Sequence, residues 1–198
     1  MLEKIYIVAF LLLYFLIVFI IPSLRVKRKT GINPYVFKNT DSAQDYLGKV
    51  SKPITAILFI LALVNLIYPA VLPYLGSFSW LEVSISKIAG FILIHLALLW
   101  IVIAQIQMSN SWRVGIDHSA KTELKTNGVF SVSRNPVFLG MLVTLTGFFL
   151  IIPNAFTLVA FVTSLLLFQV QVRLEEEYLY KTHKDEYIEY TRKVRRWL

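Results

Sequence analysis

Apolar and polar residues fall in blocks along this chain. The segments 5–24, 54–75, 88–107, 137–152 and 155–172 are almost wholly apolar and carry no charged residue. A helix needs about 20 apolar residues to cross a hydrocarbon core about 30 Å thick. The five blocks therefore predict an all-α integral membrane protein with five transmembrane helices in a single membrane domain over 1–198. The first block is longer than the roughly 7–15 apolar residues of a signal peptide, and no small-residue cleavage site follows it. It reads as a retained span with Pro22 near its end. The second begins just after Pro53, and proline suits a helix start because the first amides have no intrahelical partner. The fourth has 16 residues and is parted from the fifth only by Pro153 and Asn154, which predicts a tight hairpin. The tail 173–198 reads as an amphipathic C-terminal helix. Tyr187, Tyr190, Val194 and Trp197 recur at spacings of three and four and share one face. Such a face lies on the membrane surface or folds back on the loops.

The charges sharpen this picture. The chain has 57% hydrophobic and only 16% charged residues. Soluble domains have about 45–50% and about 25%. The net charge of +8 therefore points to membrane-facing loops, with no nucleic acid as partner. With five spans, the segments 25–52, 108–136 and 173–198 share one side and hold eighteen of the twenty basic residues. The positive-inside rule makes that side cytoplasmic and places the N-terminus outside and the C-terminus inside. One span more or fewer would break this sorting.

Several chemistries are excluded. There is no cysteine, hence no disulfide and no thiolate ligand or nucleophile. Neither a GxGxxG nor a GxxxxGK[ST] motif occurs. His95, His118 and His183 make no metal-ligand spacing, so no metal site is expected. His95 sits within the third span and is read as a paired neutral imidazole. Two stretches remain. The segment 109–136 is long for a connection, and Pro136 opens the fourth span just after it. Amides beside a helix N-terminus suit a carboxylate-bearing ligand. At the end of the fifth span, Arg173 is followed by Leu174 and then Glu175, Glu176 and Glu177. Successive helical residues turn by about 100°, so the three carboxylates cannot share one face. Arg173 and Glu177 are four apart and share a face, which sends Glu176 elsewhere, toward the mouth of the bundle.

The run TELKTNGVFSVSRNPVFLG, followed about forty residues later by RLEEE and then DEYIEY, resembles the isoprenylcysteine carboxyl methyltransferase and phospholipid methyltransferase superfamily. These are small integral-membrane enzymes that use S-adenosylmethionine. The likeness covers roughly 105–198 in motif detail. It implies a cytoplasmic cofactor-binding loop. Thr122, Glu123, Leu124 and Lys125 would line the cofactor pocket. Phe130 stands where an aromatic packs on the cofactor, and Asn135, Pro136, Val137 and Phe138 occupy the R-H-P-x-Y position. Glu176 matches the acidic residue that binds the cofactor, and Arg173 lies beside a substrate-facing arginine position. Asn135 replaces the histidine of the prenylcysteine enzymes, which counts against a prenylcysteine substrate more than against methyl transfer. The implied function is transfer of a methyl group from S-adenosylmethionine to a lipophilic or amphiphilic small molecule or lipid. A carboxylate acceptor is slightly favoured over an amine. A small transporter would need polar residues along a pore, and the spans hold few; a non-catalytic scaffold would leave both motifs unexplained.

Overall fold

The computed structural model describes residues 1–38, 40–116 and 123–198. Its elements are helices: α1 (Leu2–Phe15), α2 (Ile21–Thr30), α3 (Ala43–Ile67), α4 (Ser84–Met108), α5 (Pro136–Ile151), α6 (Ala155–His183) and α7 (Asp185–Lys193). Among the described residues there are two isolated β-bridges and no strand. Four helical stretches are long and apolar enough to cross a membrane: Leu2–Thr30, Ala43–Ile67, Ser84–Ser111 and Ala155–His183. The fourth expected span corresponds to α5, whose 16 residues fall below that length. Between 22% and 33% of each long stretch's most apolar window is buried inside the protein. The rest faces outward as bare Leu, Ile and Val, which suits lipid and not water.

The first span is one rod interrupted by a π-helical turn, Leu16–Ile20. Such a turn disturbs the regular carbonyl ladder. The buried Gln105 side chain of α4 donates to the Val18 carbonyl at 2.6 Å and satisfies it, as an apolar medium demands. His95 of α4 links the same two helices. One ring nitrogen meets the Tyr6 hydroxyl and the other the Phe91 carbonyl.

The second helix departs from the expected 54–75. It starts at Ala43, because Ser42 caps it by accepting from the Asp45 amide, and Pro53 lies inside it. It stops at Ile67, since Pro69 and Pro73 turn the following chain into a 3-10 stretch. Helix α6 likewise runs past 172, through the acidic motif, to His183.

Helices α4 and α5 approach backbone to backbone. A Cβ on Gly90 would stand 2.6 Å from the Gly147 carbonyl oxygen, and one on Gly147 would stand 2.8 Å from that of Gly90. Small residues give this contact where packing, not water exclusion, holds helices together. The α5–α6 hairpin closes at Asn154, whose side chain caps α6 in a capping box with Thr157. Its tip docks on the chain between α3 and α4. Phe78 donates to the Pro153 carbonyl at 2.9 Å, and Ala155 to the Gly76 carbonyl at 3.0 Å.

Candidate functional site

At the opposite end of the hairpin, the loop after α4, the start of α5, the end of α6 and the short α7 meet. The loop is shaped first by Gln107. Its carbonyl accepts from the Val129 amide at 3.0 Å, and its amide nitrogen would lie 2.1 Å from a Cβ on Gly128. Gly128 also has φ +62, a left-handed backbone that glycine adopts at no steric cost. Pro136 then opens α5, and the Trp100 indole donates to its carbonyl at 2.9 Å.

Glu176 fixes this loop to α6. Arg134 reaches its Oε1 with Nε at 3.1 Å and NH2 at 2.9 Å. Arg196 reaches its Oε2 with Nε at 3.0 Å and NH2 at 2.6 Å. The Arg134 and Glu176 side chains are each 12% exposed. The uncharged, apolar part of α6 ends at Val172, and the acidic motif follows it. Burial opposes ionisation of Glu176, but the two guanidiniums outweigh it and hold the carboxyl below its usual range. Tyr190 of α7 donates to the Phe130 carbonyl at 2.6 Å. Burial pushes its phenol up to about 12.

A cavity of about 140 Å³ opens beside this clamp. Glu123, Leu124, Lys125, Phe130 and Asn135 line it, with Arg113, Arg134, Glu175, Tyr178 and Tyr190. Lys125 pairs with Glu123 at 2.6 Å. Glu175, one residue from the clamp, faces the cavity instead. Its carboxylate accepts from the Gln171 amide at 3.2 Å. Burial raises its carboxyl; the Gln171 bond opposes this and the Glu176 charge adds to it, leaving it at about 7. A second cavity of about 280 Å³ shares Ile116 and Tyr178 as walls and reaches Ser42 and Lys181.

A profile of the phospholipid methyltransferase family matches residues 85–186, just over half of the chain. The chain belongs to the phospholipid methyltransferase family. No curated protein and no solved structure matches it. The part of this methyltransferase covered by the match runs from the start of α4 to the start of α7, and so contains both motifs and most of the cavity wall.

The motif residues separate into groups. Glu123, Leu124, Lys125, Phe130 and Asn135 come together at the cavity. Thr122 lies outside the described residues. Pro136 and Val137 are buried at the start of α5, Val137 in a cluster with Ile101 and Phe130. Phe138 packs on Phe168 between α5 and α6, ring centres 5.1 Å apart and planes tilted by 52°. Glu176 is engaged by both guanidiniums and does not line the cavity. Arg173 is exposed and turns back along its own helix, donating to the Gln169 carbonyl at 2.6 Å and side-chain oxygen at 2.9 Å. Glu177 pairs with Lys181. Sequence reasoning passed over Glu175, Tyr178 and Tyr190. The 100° step between helical residues separates Glu175 from Glu176, but it does not say which of them faces the loop.

Proposed function

We propose that the cavity holds S-adenosylmethionine and that the protein methylates the amine head group of a membrane lipid. The observation that carries this reading is the donor set converging on one cavity at the end of the bundle. An amino-acid zwitterion needs an anion and a cation, and a flat heterocycle needs aromatic walls. Glu175, Lys125 and the Phe130, Tyr178 and Tyr190 rings supply these. Glu175 pairs with the cofactor ammonium in this reading, and Glu176 holds Arg134 and Asn135 in place. When bound, S-adenosylmethionine supplies a methyl group on a positively charged sulfur. The chain's part is to orient donor and acceptor in line, which needs no covalent enzyme intermediate. The family description favours a lipid acceptor. Arg173, turned toward Gln169 on an exposed face, gives no support for a carboxylate clamp at the cavity.

Five crossings fit this function. Helix α5 starts at the clamp and ends at the hairpin tip, beside the chain that joins α3 to α4. It therefore bridges the same two levels as α4 and α6. Together with the eighteen basic residues of one side, this supports a cytoplasmic cavity and C-terminus and an N-terminus outside. In intact cells an impermeant thiol reagent is expected to label Ser79→Cys and to spare Ser131→Cys; the reverse pattern would overturn the orientation.

The function itself is tested by calorimetry of the detergent-purified protein with S-adenosylmethionine and S-adenosylhomocysteine, then by turnover on vesicles of amine-bearing and carboxylate-bearing lipids. Binding of both nucleosides and methylation of the amine lipid are expected. Absence of binding would overturn the cofactor reading, and methylation of the acids alone would overturn the acceptor.

A further inference from the structure

The clamp has a second half outside the region shared with the family. The segment after α7 runs back across the motif loop. The Arg134 amide donates to the Arg195 carbonyl at 3.1 Å, and the Asn135 side chain donates to the Arg196 carbonyl at 3.2 Å. Arg134 NH1 caps the end of α7, reaching the carbonyls of Thr191 at 3.3 Å and Val194 at 3.0 Å. The Arg196 guanidinium completes the circuit by closing on Glu176. Residues 134–135, 176 and 191–196 thus form one closed polar ring. Beneath it Tyr187, Tyr190 and Val194 are buried against Leu124 and Leu179, two residues of the cavity wall.

We propose that Arg196 is a positioning residue for the methyl-transfer site, acting through Glu176 and Asn135. The inference rests on the cofactor reading above. The Arg196 side chain does not itself line the cavity. It neutralises one oxygen of Glu176 while its backbone holds the Asn135 amide, and Asn135 is itself part of the wall. Without it, Glu176 keeps one guanidinium partner and loses the other. Arg134 and Asn135 then have a freer loop, and Glu175, the next residue on α6, no longer sits in a set frame. A buried ion pair is a weak source of net stability, but breaking one leaves a charge to be answered by rearrangement. The rearrangement falls on the cavity wall because the ring contains it.

The test uses the full chain in detergent with S-adenosylhomocysteine as probe, comparing wild type, Arg196→Ala and Arg196→Lys at a temperature well below unfolding, with Tm measured in parallel. Arg196→Ala is expected to weaken binding at least tenfold while staying folded. Arg196→Lys is expected to recover part of the loss, since an ammonium restores the charge but not the two-donor fork. Wild type that does not bind would sink the cofactor reading itself. Wild type that binds, with Arg196→Ala binding equally well or with Arg196→Lys no better than Arg196→Ala, would overturn the positioning role. So would a lowered Tm with unchanged affinity, the mark of a purely structural contact.

Discussion

Glu175 and Glu176 are neighbours with opposite surroundings, and replacing each by Gln separates two roles. Four guanidinium N–H groups converge on Glu176 at 2.6–3.1 Å. Gln keeps one acceptor oxygen and turns the other position into a donor facing a donor. Removing one partner of a buried ion pair costs about 3–5 kcal/mol. Arg196 is 34% exposed and can turn to water, so the lower end, about 3 kcal/mol, applies. For a chain of this length that corresponds to a fall in Tm of roughly 6–12 °C. Among the described residues, Glu175 meets no guanidinium and accepts from the Gln171 amide. Its neutral isostere suits the half-buried site, so Glu175→Gln should leave Tm level or slightly higher. It should instead lose a charged hydrogen bond to the cofactor, about 1.5–3 kcal/mol. That is roughly a tenfold to 150-fold rise in Kd at 1.4 kcal/mol per decade. Thermal unfolding and calorimetry of both variants decide. A stable Glu176→Gln that alone loses the cofactor would refute the division of labour, as would equal Tm values.

Three further outcomes follow from the geometry. Because the Glu175 carboxyl is raised to about 7, it is protonated below that pH and must release a proton to pair with an ammonium. Cofactor affinity should therefore fall as pH is lowered through about 7, and calorimetry of Glu175→Gln should show a flatter profile. Gly147→Ala would place a methyl 2.6 Å from the Ile94 side chain and 2.8 Å from the Gly90 carbonyl. Overpacking of this kind costs about 1–3 kcal/mol, to be read as a lower Tm. Arg173→Ala should leave nucleoside affinity within about twofold, since the side chain turns back to bond Gln169 on an exposed face; a tenfold loss in a folded variant would show that it reaches the cavity.

The block pattern determined most of the architecture. Apolar runs of about twenty residues have few stable states besides membrane helices, because their backbone must satisfy itself. The hairpin at Pro153 and Asn154 and the buried Tyr187 and Tyr190 face of α7 were readable from local chemistry and helical spacing, but the tail 173–198 is not one helix: it breaks at Lys184, and Val194 joins the two tyrosines from extended backbone beyond α7. Helix ends were less readable. Ser42 caps α3 twelve residues before the apolar block begins at Ile54, and Pro53 does not stop a helix already under way. The site was legible only as a set of segments. Motif spacing marked the loop and the acidic turn, but which glutamate faces the cavity depends on the rotation of α6 against α5 and α7. That rotation is decided by Arg134 and Arg196, forty-two residues before Glu176 and twenty after it. A long-range pair of this kind leaves no periodic trace along the chain. Only the folded structure, in which two guanidiniums converge on one carboxylate, chooses Glu176 for the clamp and leaves Glu175 to the cavity.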